Sequence, residues 1–401
     1  MRKPPVTATA SPELPEDTWM ASIHEALFED KPFAEDSLHD VVSWRKFVNR
    51  QPPMRPALAT REQLAVMSES ERQQYDRARR IYHMGFGPLN SRAMERIHKD
   101  VGTLAVDNLR SLPGARSGAI IDGAGTLGKT TIILQLGRKY ELSMQKAYKR
   151  VPAEHVMNDF IPVVYTYVPS STTTKKMLTS LVEFYGIPVG KRDTEGEVMR
   201  RLIDTTRACK TSLIILDDIH NLHAGNKSAA SVNDLLKELM DKIPATFVYA
   251  GINTERSVLL LDTVTSGPSR ASQTQNRYSL HRVTPFPYDV MEGADSQWLE
   301  ILRTIESHLL LVDHESGWLE KHHLYLYVRT AGGIGALMRL LRHGANNAIR
   351  SGAEKLIIED LEAVKLAEGP TRYAERVKRK LASFEDDPVA QRAFLESVGL
   401  E

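Results

Sequence analysis

The chain has 401 residues, 42% hydrophobic and 26% charged, with a formal net charge of +1. At roughly 100–200 residues per domain this predicts two or three domains with real cores, and so balanced a charge confines any polyanion site to a local patch. The single cysteine, Cys209, excludes a disulfide framework or a cysteine metal site and fits a reducing cytoplasm, while no stretch approaches the ~18–20 continuous apolar residues of a membrane span. The opening MRKPPVTATASPELPEDTW lacks the apolar core of a signal peptide.

Residues 1–16, rich in Pro, Thr and Ser, read as disordered. A short helix is expected over 43–48, and the proline-rich run 51–56 is a linker, because a residue before proline is held extended. Thr60 is placed as an N-cap with Glu62 and Gln63 just inside its helix. A charged helix over 70–83 follows, then an amphipathic one over 92–112, with Met94, Ile97, Val101 and Leu104 near helical spacing. Pro113 and Gly114 end it.

The next stretch, SGAIIDGAGTLGKTTIILQL over 117–136, is a short apolar strand, a glycine-rich loop and a helical pattern. It is the G-x-x-x-x-G-K-[ST] phosphate loop in its required setting. Gly123, Gly125 and Gly128 let the backbone turn its N–H groups inward, with Ala124, Thr126 and Leu127 between them. The helix beginning near Lys129 aims its positive end at the same anion, and Thr131 follows in its first turn. Lys129 can reach the β- and γ-phosphates of ATP, and the Thr130 hydroxyl can ligate Mg2+.

Further apolar runs at 161–168, 211–216, 245–252 and 278–283 read as strands, with helices over 195–208 and 232–243. Strands alternating with helices predict an α/β fold with a parallel sheet covered on both faces. From 296 onward the pattern is helical, over 296–311, 317–330, 334–350 and 358–367, with a charged tail over 372–398. Residues 170–174 are hydroxyl-rich and precede Lys175 and Lys176, the mark of a helix N-cap region. The run LIILDD over 213–218 is an apolar strand ending in two carboxylates: Asp217 for the magnesium shell, Asp218 to polarise the attacking water. Asp218 stands where Glu is usual, so slow hydrolysis is expected. Asn253, just past a strand, could reach the γ-phosphate or merely cap the next helix. Arg270 and Arg277 flank the end of a polar loop over 263–276 and could enter a neighbour's nucleotide site as a finger. His220, His322 and His323 have no matching ligand cluster and read as surface or locally bonded histidines.

GAGTLGKTT (123–131), IPVVYTYVP (161–169), LIILDDIHNL (213–222), IPATFVYAGI (243–252), QNRYSLHRVTPFPY (275–288) and TAGGIGALMRLLRHGA (330–345) occur in this order. In this combination the sequence resembles the TniB-like transposition ATPases, relatives of TnsC, within the AAA+ class, over residues 70–367. The resemblance implies a RecA-like AAA+ core over 96–288 and a helical lid over 289–368. A helical N-terminal extension over 1–95 and a charged helical tail over 369–401 flank them. It implies Asn253 at sensor 1, Arg277 as the finger with Arg270 second, and Arg339 as the sensor-2 arginine. It further implies an ATPase whose subunits form a ring or filament on duplex DNA and recruit or license a separate transposase. Thr173, Lys175 and Lys176 would then lie on the DNA-facing side and contact phosphates. Two rival readings keep the same core: a signalling or defence NTPase without a DNA role, and a scaffold that binds ATP but scarcely hydrolyses it.

Overall fold

The computed structural model describes residues 38–112, 116–149, 159–169, 172–219, 222, 227–252, 277–290, 295–383, 390–392 and 395. The apolar runs become strands β1 (Gly118–Asp122), β2 (Val163–Tyr167), β3 (Leu213–Asp217), β4 (Thr246–Gly251) and β5 (Tyr278–Arg282). They form one sheet in the order β2-β3-β4-β1-β5, every pairing parallel. Helices α1 (Val41–Asn49), α2 (Arg61–Val66), α3 (Glu69–Gly85) and α4 (Arg92–Arg110) precede the sheet, and α5 (Lys129–Tyr148), α6 (Thr174–Glu183), α7 (Glu195–Ala208) and α8 (Lys227–Lys242) alternate with its strands. The carboxyl-terminal region holds α9 (Gln297–Ser307), α10 (Trp318–Lys321), α11 (His323–Thr330), α12 (Ile334–Ser351), α13 (Ile358–Glu362) and α14 (Glu368–Ala382).

Strands buried on both faces explain the near-continuous apolar runs: β1, β3 and β4 are buried almost throughout. β5 lies at the sheet edge, and there alternation returns, with Ser279 and His281 half-buried and Leu280 and Arg282 exposed. All five strands point the same way, so the loops following β1 and β3 emerge on one side of the sheet, with β4 between them. At the usual inter-strand spacing the ends of β1 and β3 are roughly 10 Å apart, which is where an open α/β sheet places its ligand.

Two apolar cores form. One surrounds the sheet and includes Trp44 of α1 and Met94, Ile97 and Val101 of α4. The other unites α9–α13 and takes in Tyr82 and Phe86 from the end of α3. Within the extension expected over 1–95, the described helices therefore divide, α1 packing with the sheet core and the end of α3 with the helical one. The Trp44 side chain lies so close to Gly137 of α5 that a Cβ there would sit 2.8 Å from the indole, which fastens α1 to the sheet core. α3 is fastened to the lid by charge. The fully buried Arg79 donates to Glu354 Oε2 at 2.6 Å and Oε1 at 2.9 Å, and to the Leu310 carbonyl at 3.0 Å; Arg72 donates to Glu354 Oε1 at 2.6 Å. Burial alone would raise the pKa of Glu354, but these guanidinium bonds leave it lowered. Removing one partner of such a cluster strands a buried charge, at a cost of about 3–5 kcal/mol.

The helix expected over 317–330 is two helices, broken at His322. The tail is helical through Ala382; residues 384–389, where a break at Pro388 was expected, lie outside the described residues, as do residues 1–37. Among the described residues no helix is long and apolar enough to cross a membrane.

His83, fully buried in α3, accepts a hydrogen bond from Leu310 N–H at Nε2 (2.9 Å). Burial, followed by the nearby Arg79, lowers its pKa from 6.5 to about 4. The unfolded chain therefore binds a proton that the folded chain refuses, and stability falls as pH drops from about 6.5 to about 4. Replacing His83 with Gln, which keeps an acceptor, should cost most near pH 7 and progressively less toward pH 4.5, read as the difference in Tm between the two proteins across that range.

Candidate nucleotide site

β1 ends at Asp122 and α5 begins at Lys129, so six residues make the loop between them. Gly123 is required by contact: a Cβ there would sit 2.5 Å from the Val283 carbonyl oxygen. Gly128, at φ 83, caps α5 with no side-chain hydrogen bond. The first-turn N–H groups of α5 thus have no side-chain acceptor at the cap and face the loop, the arrangement that receives a phosphate. Thr126 adds a second left-handed residue, at φ 67.

Lys129 is 9% exposed, and its Nζ donates to the Ala124 carbonyl at 2.7 Å, inside the loop. Burial lowers its pKa, while Asp217, Asp122 and Asp218 push the other way. Phosphate oxygens can replace the backbone carbonyl as its acceptor.

The two acids differ in environment. Asp217 is 5% exposed and Asp218 is exposed. Asp217 Oδ1 accepts the Asp218 N–H at 2.9 Å, and Oδ2 accepts the Tyr165 hydroxyl at 3.2 Å. Burial raises the Asp217 pKa; the Asp218 N–H and the Thr130 and Tyr165 hydroxyls hold the rise down, and the Asp218 charge adds to it. Asp218 itself takes φ 59, a left-handed conformation that Asp tolerates better than Glu or any bulkier side chain. Among the described residues no group of three or more His, Cys, Asp or Glu gathers into a cage. The donors present, the Thr130 hydroxyl and the Asp217 carboxylate, are hard oxygens, and they fit a Mg2+ ion that fills its other positions with phosphate oxygens and water.

The lid closes the site. The Gly335 N–H in the first turn of α12 donates to the Thr126 carbonyl at 2.8 Å, and a Cβ on Gly335 would lie 2.6 Å from that oxygen. Between loop, lid and the chain joining α3 to α4 runs a cleft of about 1050 Å³. Phe86, Pro88, Met94, Pro285 and Met338 give it apolar walls; Arg50, Arg92, Arg96, Arg138, Arg339 and Arg342 also line it, and among the described residues no carboxylate does. A concave site with that sign of charge concentrates polyanions. Arg339 lies on α12 and faces the same cleft as Gly128, where a sensor-2 arginine is expected. Arg342, one turn on, instead donates to the Phe86 carbonyl and stacks over the Phe86 ring at 5.3 Å.

Arg277 lies elsewhere. Its carbonyl accepts the Gly118 N–H at 2.8 Å, at the start of β1, whereas the phosphate loop follows the end of that strand. Five residues of strand separate them, about 16 Å at 3.3 Å per residue. Its guanidinium sits 3.3 Å from Asp241. Thr173 is the N-cap of α6 and accepts the Lys176 N–H; Lys175 donates to the carbonyls of Lys191 and Asp193 at 3.2 and 2.6 Å, so it closes a loop of its own chain. Lys176 is exposed. His322 and His323 make local bonds, to the Trp318 carbonyl and the Tyr288 hydroxyl. Asn253, Arg270 and His220 fall outside the described residues. Sequence reasoning missed Tyr165, whose only trace was the aromatic content of IPVVYTYV, and it missed Trp44 and the Gly335 contact.

Residues 106–288 match the family model described as the bacterial TniB protein. Among solved structures the chain is similar to the ORC2 protein of Aeropyrum pernix, in ADPNP–ADP complexes, at 15% identity, covering 79% of this chain and 82% of that one with a TM-score of 0.51. It is also similar to the A. pernix ORC1 protein in complex with DNA, at 16% identity, 75% and 69% coverage and a TM-score of 0.48. No curated protein matches. At this identity the ORC2 likeness speaks for the fold alone. The fold is an AAA+ P-loop α/β core with a helical lid, and its segment 106–288 is TniB-like.

Gly335→Ala should push α12 off the phosphate loop, because the new methyl group and the Thr126 carbonyl cannot share the space. The expected result is ATP affinity weakened by about tenfold or more, ~1.4 kcal/mol, measured by titration calorimetry, with Tm within a few degrees of the parent.

Proposed function

We propose that the chain is an ATP-hydrolysing switch that assembles on duplex DNA as a homo-oligomer and recruits or licenses a separate transposase. ATP binding is supported by the loop at 123–128, the buried Lys129 and the cationic cleft beside them. Lys129 and Thr130 hold the phosphates and Mg2+, Asp217 completes the metal's protein ligands, and Arg339 draws the lid onto the nucleotide. Exposed at the rim of the site, Asp218 is the acid that orients water. Its side chain is one methylene shorter than Glu, which makes a slow, timer-like hydrolysis the natural outcome.

The observation that carries the assembly reading is the position of Arg277, about 16 Å of strand away from its own phosphate loop. In a single copy that arginine cannot serve the nucleotide. Presented to a second copy, it can supply positive charge to a γ-phosphate as it leaves. Duplex DNA and a transposase as partners rest on the TniB match. Lys176, exposed at the start of α6 on the same side of the sheet as the nucleotide, is a candidate for backbone contacts that add affinity without reading sequence.

Asp218→Asn should keep nucleotide binding and lose hydrolysis by about 10²-fold or more, because the amide cannot accept the water's proton; a wild-type rate would remove Asp218 from this role. Arg277→Ala should bind ATP yet lose both hydrolysis and ATP-dependent assembly. Mixed with Lys129→Ala it should regain part of the rate, since one interface then pairs an intact loop with an intact arginine. No recovery in mixtures shown by light scattering to co-assemble would rule out the trans arrangement.

A further inference from the structure

Tyr165 lies in the middle of β2, buried, in register with Ile215 of β3. Its ring carries it across the strand pair, so that its hydroxyl reaches Oδ2 of Asp217 at 3.2 Å. Both carboxylate oxygens of Asp217 are thereby engaged, one by a backbone N–H and one by a phenol. A carboxylate with one such bond can still rock about its Cβ–Cγ axis; with two, its plane is set, and the lone pairs that remain face Thr130. The phenol is the donor in this bond and the carboxylate the acceptor.

The ring is itself held. The Trp44 indole stacks on it with centroids 5.7 Å apart and planes 11° from parallel. Trp44 is fully buried, its Nε1 donates to the buried Glu141 of α5, and its far edge is wedged against Gly137. Such packing leaves the tyrosine ring one rotamer. Trp44 belongs to α1, more than fifty residues before the segment that matches the TniB model.

We propose that Tyr165 is a positioning residue for the metal-binding acid, orienting Asp217 toward the magnesium–triphosphate complex, and that α1 acts as the clamp that fixes it through Trp44. This rests on the ATP–Mg2+ reading of the site. The chemistry is that of an outer partner bonded to a metal ligand: such partners set the ligand's angle, and their loss commonly costs 10–100-fold in metal affinity. The consequence is that a segment outside the TniB-like core reaches the centre of the site through two aromatic rings and one hydrogen bond.

The test is a Mg2+ titration of nucleotide binding in the full-length protein, followed with a fluorescent ATP analogue and started from EDTA. Tyr165→Phe keeps the ring and its stacking and removes only the hydroxyl. It should bind the analogue in EDTA as the wild type does, while the Mg2+ concentration at half-effect rises by about tenfold or more. Tyr140→Phe is the comparison: that hydroxyl is also in the sheet core but bonds Ser212 at 2.9 Å, away from Asp217. It should leave the Mg2+ midpoint in place whatever it does to Tm. A Tyr165→Phe midpoint equal to wild type, beside a clear Mg2+ effect in the wild type, would overturn the positioning role and leave the ATP reading intact. A wild type that binds the analogue no better with Mg2+ than without it would overturn the ATP–Mg2+ reading, and this inference with it.

Discussion

A single hydrogen bond, from the Gly335 N–H to the Thr126 carbonyl, fixes the lid against the phosphate loop. It joins the first turn of one helix to the loop that precedes another, and it forms only because position 335 has no Cβ. Once made, it leaves α12 running out over the cleft, with Arg339 a turn along it. The phosphate loop is thus shaped by both bodies of the protein: Val283, where the chain leaves the sheet, crowds Gly123, and the lid holds Thr126. Loop and lid are in direct contact, with no relay between them.

The charges are arranged to match. Lys129 and Asp217 are both buried, where little water can reach, and their attraction is stronger there than it would be on the surface. Asp217 is kept inside by three donors, and Asp218, next in sequence, is kept outside by its left-handed backbone. Two adjacent carboxylates with opposite exposure can divide metal holding from water handling, which two equivalent ones could not. On the other side, the buried pair Arg79 and Glu354, flanked by the half-buried Arg72 and Asp76, welds α3 to the lid. α3 is thereby joined to the lid, and the chain that follows it, Phe86 to Leu89, lines the cleft.

The sheet was legible because parallel strands buried on both faces must be apolar throughout, and 161–168, 211–216 and 245–252 have no other use. The phosphate loop was legible because few backbones can fold around phosphate, and each leaves its glycines in fixed places. Capping chemistry gave Thr60 and the hydroxyl run ending at Thr174 away as helix starts. The Tyr165 bond was not legible: a tyrosine in an apolar strand is ordinarily core, and only the register of β2 on β3 brings it to Asp217. Nor was the division of α1 and α3 between the two cores, since amphipathic helices disclose that they pack and not against what. The bonds of Lys175 within its own chain were hidden for a related reason. A lysine at a helix start resembles a phosphate contact, and the carbonyls of Lys191 and Asp193 that claim it lie more than fifteen residues away.

Electron cryo-microscopy of the full-length protein with ATP, Mg2+ and duplex DNA tests the central claim most directly, because it reads the Arg277 side chain and its surroundings together. The account predicts subunits in contact along or around the DNA, with Arg277 of one subunit released from Asp241 and within hydrogen-bond distance of the γ-phosphate held by Lys129 of the next. Nucleotide-loaded monomers, or assemblies in which Arg277 remains on Asp241 and far from every phosphate, would contradict it.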